Sequence, residues 1–168
     1  MGRRWIWYVM VLVFLLQFFL HGCGRAPDPE TLALAEASDA VCLAEVKAVK
    51  RVSAPEGEAY LMTCRVKEDY LGSLTRAGYE GAKFFWRPEV LLTEEEYRRY
   101  MAEYRERTAN GNTELTLFLK LSAEGSTFIP AGEKALRWGG PKDAQGLRLR
   151  EALWNYGREH PRDWLGLH

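Results

Sequence analysis

Histidine is nearly missing from this 168-residue chain: His21 directly follows an amino-terminal apolar stretch, and His160 and His168 lie near the carboxyl end. A Ser-His-Asp or Cys-His catalytic site needs an imidazole held by the scaffold, and the middle of the chain has none. His160, beside Pro161, reads as a helix-end residue at the negative end of a helix dipole. Cysteine is equally scarce, at Cys23, Cys42 and Cys64. No Cys-x-x-Cys pair or histidine cluster offers zinc its four ligands, and no metal is expected. An excess of one charge is also lacking, since 23 basic and 23 acidic side chains balance. That leaves no basic footprint for nucleic acid and no polybasic patch for a membrane surface. The 15 glycines form neither a phosphate loop nor a dinucleotide fingerprint. No catalytic residue and no cofactor are assigned, and there is no internal repeat or low-complexity segment.

What the chain does have is a leader. Arg3 and Arg4 supply a positive start, and Trp5 to Leu20 form an apolar run of sixteen residues, short of the about 20 that a permanent bilayer crossing needs. A polar, proline-bearing segment, Gly24-Arg25-Ala26-Pro27-Asp28-Pro29-Glu30, follows and cannot prolong that helix. Between them, Leu20-His21-Gly22-Cys23 resembles the bacterial lipobox. Leu20 supplies its branched apolar residue at −3, Gly22 its small residue at −1, and Cys23 the cysteine that is modified; His21 fills −2, where small residues are usual. The resemblance implies that residues 1–22 are a signal peptide, that the Cys23 thiol receives a diacylglyceryl group, and that residues 23–30 link this anchor to the domain. Gly24 in place of aspartate after the cysteine implies the outer membrane, facing the periplasm or the exterior. Each buried methylene contributes about 0.8 kcal/mol, so two or three acyl chains hold a protein firmly where one does not. The competing reading is an uncleaved signal anchor with Cys23 as a juxtamembrane thiol.

Without Arg3 and Arg4 the mature chain carries 21 basic and 23 acidic side chains, a net charge of −2. Residues 31–160 are enough for one domain, with 161–168 as a tail; a domain near 150 residues buries roughly 70% of its extended surface. Along it, Glu30 to Ala37 reads as a short helix. Ala40 to Val52 and Tyr60 to Leu71 read as two strands joined by a turn at Ser53 to Glu58, a hairpin with one wet and one dry face. Lys83 to Arg87 reads as an edge strand stopped by Pro88. Thr93 to Glu96 is a capping box opening a helix that ends before Asn110-Gly111. On that helix Tyr97, Tyr100, Met101 and Tyr104 share a face, and Glu94–Arg98, Glu95–Arg99 and Glu103–Arg107 stand four apart. Leu115 to Leu121 is a central strand, Ser126 to Pro130 its partner, and Ala135 to Trp138 a last extended piece. A helix from about Asp143 to Arg158 follows, with Trp154 and Tyr156 suited to docking on the sheet.

These elements define an α+β fold: a mainly antiparallel small barrel or strongly twisted sheet with an inserted helix and a C-terminal helix. Cys42 and Cys64 are candidates for a disulfide in an oxidising compartment, or else two small buried hydrophobes. A hairpin turning at Pro55 to Glu58 sets Cys42 opposite a residue beyond Cys64, so a bridge would need a bulge. The tail residues Trp164, Leu165 and Leu167 form a candidate interaction surface, because chain ends seldom pack fully. The segments Ser38–Val46, Tyr60–Gly72 and Thr116–Lys120 resemble the netrin-module and metalloproteinase-inhibitor family of oligonucleotide/oligosaccharide-binding-type barrels. This resemblance rests on pattern over Ala40 to Ile129 and transfers no functional residue. The expectation is a lipid-anchored envelope protein whose domain binds or assembles with an envelope partner, without catalysis. Two other readings stay open, an exported carboxylate-dependent hydrolase and a peptidase-inhibitor-like module.

Overall fold

The computed structural model describes residues 28–54, 57–72, 75–77, 83–85, 88–124, 127–139 and 144–161. It opens with helix α1 (Pro29–Ala37), whose first turn is capped by Asp28 accepting from the Thr31 amide. Proline is tolerated at that first position because its missing N–H has no partner there anyway. Strands β1 (Ala40–Ala54) and β2 (Gly57–Leu71) follow as a hairpin, turned with Gly57 at φ 129°. Then come β3 (Thr75–Ala77), β4 (Lys83–Phe85), β5 (Glu89–Thr93), α2 (Glu94–Ala109), β6 (Glu114–Leu121), β7 (Phe128–Pro130), β8 (Leu136–Trp138) and α3 (Ala144–Glu159). The fold is α+β, as expected.

Six strands form one mixed sheet in the order β1-β2-β5-β7-β6-β8, and β1 also pairs with β6, so the sheet closes partly into a ring. The β5–β7 pairing is parallel and the rest of that sheet is antiparallel. The third strand to enter this sheet is Glu89–Thr93, where Lys83 to Arg87 was expected. Lys83–Phe85 pairs instead with Thr75–Ala77 in a separate two-stranded sheet. Proline decides the difference: Pro88 cannot donate, but its carbonyl accepts from the Cys64 amide at 3.1 Å, so it begins β5 at no cost to the ladder.

The simple wet and dry hairpin is also revised. Ala40 to Ala44 are all buried, as are Leu115 to Leu119, because both faces of the β1–β6 pair are covered. On the inner face Cys42, Met62, Cys64, Leu92, Leu117 and Phe128 belong to one apolar cluster. On the outer face Val41, Leu43 and Phe118 meet Ala35 of α1 with Leu153 and Tyr156 of α3. Three register shifts, at Val41/Cys42, Leu43/Ala44 and Val46/Ala48, bend β1 so that it can serve both β2 and β6.

Helix α2 begins as its sequence requires. The Thr93 hydroxyl accepts from the Glu96 amide at 3.3 Å and the Glu96 carboxylate accepts from the Thr93 amide at 2.8 Å. All three four-apart ion pairs are present. Of its tyrosine face, Tyr97 stacks on Tyr60 at 3.8 Å and Tyr100 on Trp138 at 5.6 Å between centroids, while Tyr104 stays exposed. Helix α3 buries Ala152, Leu153 and Tyr156, whereas Trp154 stays 48% exposed. The expected docking role for both aromatics therefore holds for Tyr156 and is corrected for Trp154, which helical spacing turns to the opposite side.

Two glycines allow close backbone contacts. Gly72, at φ 88°, ends β2 where a Cβ would overlap the Asp39 carbonyl oxygen, and a Cβ on Gly157 of α3 would overlap the Tyr70 carbonyl oxygen. In an open helix, Gly→Ala stabilises by about 1 kcal/mol. Here the contact reverses that sign, and Gly157→Ala is expected to lower the urea midpoint of unfolding, with Gly111→Ala, which meets open space but a strained φ of 74°, as the comparison for backbone strain alone.

Candidate functional site

Cys23, and the tail residues Trp164, Leu165 and Leu167, lie outside the described residues. Cys42 and Cys64 lie in the inner cluster, both with 0% exposure, and both are free thiols. The ladder sets Cys42 opposite Asp69 and Cys64 opposite Val46, so the two are not cross-strand partners. Burial pushes the Cys42 thiol well above its usual range, with Cys64 and Asp69 adding to the effect. Burial alone pushes Cys64 up to about 12. Both sulfurs therefore stay protonated at neutral pH and lack the thiolate that reacts. They act as core methyl-sized spacers beside Met62.

One carboxylate is gripped by a cation from a distant helix. Glu68, near the end of β2, accepts from Arg150 of α3 twice, at 2.6 Å from Nε and 2.7 Å from Nη2. The Tyr70 hydroxyl donates to the same carboxylate at 3.2 Å. Burial, followed by the nearby Glu68 charge, pushes the Tyr70 phenol up, so it remains a donor. A carboxylate gripped by both prongs of a guanidinium is well suited to fixing a helix on a sheet. The sequence does not reveal this cluster, because Glu68 and Arg150 stand 82 residues apart.

A second cluster fastens α1. Asp28 accepts from the Thr31 amide at 2.9 Å and the Thr31 hydroxyl at 2.6 Å. Those bonds, with the Arg137 charge behind them, hold its carboxyl below the ordinary range. Arg137 of β8 donates to Thr31 Oγ1 at 2.6 Å, lies 5.5 Å above the Phe118 ring and pairs with Glu30 at 3.7 Å. Lys134 adds a pair to Glu30 at 3.1 Å. On the outer face of the hairpin, Glu45 lies 2.8 Å from Lys47 and 3.7 Å from Lys67, and its acidity is raised by the Lys47 contact first. At the far end of α3, His160 stacks on Tyr156 at 4.3 Å, its Nδ1 3.1 Å from the Tyr156 carbonyl oxygen. That is the helix-end placement expected of it.

Among the described residues, no group of three or more His, Cys, Asp or Glu side chains is arranged to hold a metal ion. The outer face of β2 and β5 remains accessible. Leu61 and Leu91 are register partners there and half-buried, while Arg65, Lys67 and Glu89 are exposed. No family model, no curated protein and no solved structure matches this chain.

Two outcomes follow from these clusters. In the folded protein Cys42 and Cys64 are expected to resist an alkylating reagent at mildly alkaline pH and to react once the chain is unfolded in urea, as read by peptide mass mapping. Arg150→Ala and Glu68→Gln are each expected to lower the melting temperature. Their double variant is expected to lose less than the sum of the two, because both remove one coupled interaction.

Proposed function

We propose that this chain is an exported lipoprotein of the cell envelope, held by acyl chains on Cys23, whose domain is a binding or assembly module. One observation carries the reading: the positively charged, sixteen-residue apolar leader ends on Leu20-His21-Gly22-Cys23. The sequence distance supports it: Asp28, which caps helix α1, stands only five positions after Cys23. Among the described residues no helix is long and apolar enough to cross a membrane.

The finer reading of the fold is a barrel of the oligonucleotide/oligosaccharide-binding type. Its support is the closure β1-β2-β5-β7-β6-β1, five strands around one apolar interior, as in the partly open Greek-key barrels of that class. Such barrels bind ligands on the face of their second and third strands. The corresponding face here is that of β2 and β5, where the Leu61–Leu91 pair is flanked by Thr63 and Arg65. An apolar strip with polar flanks suits a protein or glycan partner of the envelope better than a nucleic acid, given the balanced charge.

Metabolic labelling with an alkyne analogue of palmitate, in cells producing the native chain or Cys23→Ala, tests the anchor. The native protein is expected to take the label and to lose the mass of residues 1–22, and the variant to do neither. A native chain that keeps Met1 and an unmodified Cys23 sulfur overturns the proposal.

A further inference from the structure

The outward side of α3 carries two large apolar side chains that the fold leaves about half exposed. Leu147 and Trp154 are 46% and 48% exposed. Seven residues apart, they fall in one row along the helix, opposite the buried Leu153 and Tyr156. Arg158, exposed and four residues beyond Trp154, continues the row, and exposed Glu151 stands beside it. The row therefore carries no net charge.

Its position relative to the start of the chain gives the row a partner. Helices α1 and α3 cover the same outer cluster, Ala35 from α1 meeting Leu153 and Tyr156 from α3. The Asp28–Thr31–Arg137 bonds fix the first turn of α1 against β8. Asp28 stands only five positions after Cys23, and at about 3.6 Å per extended position the two are no more than about 18 Å apart. If Cys23 is acylated, the side of the domain bearing α1 and α3 is confined next to the bilayer.

We infer that the Leu147–Trp154 row of α3 docks on the surface of the membrane in which Cys23 is anchored, fixing how the domain stands on it. This rests on the lipoprotein reading above. The indole suits the headgroup boundary, apolar on its body and able to donate at one end. Arg158 lays its stem along the apolar boundary and keeps its guanidinium among phosphates. Two apolar side chains bind a membrane weakly by themselves. Tethering makes the encounter intramolecular and removes most of its entropic cost. The docking thus depends on the anchor and, with Arg158 offset by Glu151, depends little on anionic lipid. The outer face of β2 and β5 belongs to a different part of the sheet and stays free for a partner.

Full-length protein whose acylation is verified by intact mass is reconstituted in phosphatidylethanolamine/phosphatidylglycerol bilayers containing lipids brominated near the headgroup. Tryptophan quenching is then compared among the native chain, W154F, W164F and L147S. The lipids are expected to quench a component of native emission that W154F loses, L147S weakens and W164F keeps, unchanged by the phosphatidylglycerol fraction. Trp154 and Leu147 are both exposed, so these variants keep the fold, as circular dichroism checks. Equal quenching of acylated native and W154F protein overturns the docking and leaves the anchor standing. A quenched component that belongs to Trp164, or a Trp154-dependent crosslinked dimer without quenching, overturns it too. A mass without acyl chains overturns the anchor and takes the docking with it.

Discussion

Val41 to Glu45 of β1 are paired along both edges, to β2 on one side and to β6 on the other, and the rest of the architecture depends on that double pairing. It turns a sheet with two open edges into a partial ring and so removes edges that would otherwise invite pairing with other chains. It also sets the composition of the strand. A segment flanked by neighbours on both edges and by side-chain clusters on both faces favours apolar residues throughout. Ala40, Val41, Cys42, Leu43 and Ala44 meet that requirement, with no charged side chain until Glu45. The bulges are the geometric counterpart, since a regular strand could not curve enough to reach β6 at one end while keeping β2 along its length.

The two faces of this strand are held by different means. Inside the ring the contacts are aliphatic, sulfur-bearing and aromatic, and Tyr100 stacks on Trp138, which packs against the same cluster. Outside, the cover is made by two helices far apart in sequence, and each is fixed by a polar fastening at the rim of its apolar contact. For α1 this is Asp28, Thr31 and Arg137; for α3 it is Glu68, Tyr70 and Arg150. Apolar burial contributes most of the free energy but is indifferent to small slides. Directional bonds from planar guanidinium groups fix angle and register. Gly157 brings α3 against the Tyr70 carbonyl, which is what lets the Glu68–Arg150 bonds reach.

Local chemistry made some of this legible in the amino-acid sequence. The Thr93–Glu96 capping box, the four-apart charges of α2 and the alternation of β2 act over a few residues, and each appears in the structure, with β2 starting three positions earlier than its alternation marks. The α+β class follows from them. What stayed hidden depends on distant partners. Glu89–Thr93 is only five residues long and follows a proline, and its place in the sheet comes from β2 on one side and from a parallel contact with β7 on the other. The burial of both faces of β1 could not be inferred from its own pattern, because the covering helices lie on either side of the whole sheet sequence. Trp154 shows the same limit: aromatic content suggested inward packing, whereas the phase of the helix, fixed by Leu153 and Tyr156, turned it out. The Arg150–Glu68 and Arg137–Thr31 contacts are invisible for the same reason, each joining residues more than eighty positions apart.

The tie between α1 and β8 has a mechanical consequence. A pull on the chain ahead of Asp28 does not reach the sheet as a peeling force on a free end. It first meets the Asp28–Thr31–Arg137 fastening, and beyond α1 it meets β1 where β2 and β6 hold that strand from both sides. Detaching β1 from one neighbour there still leaves it bonded to the other.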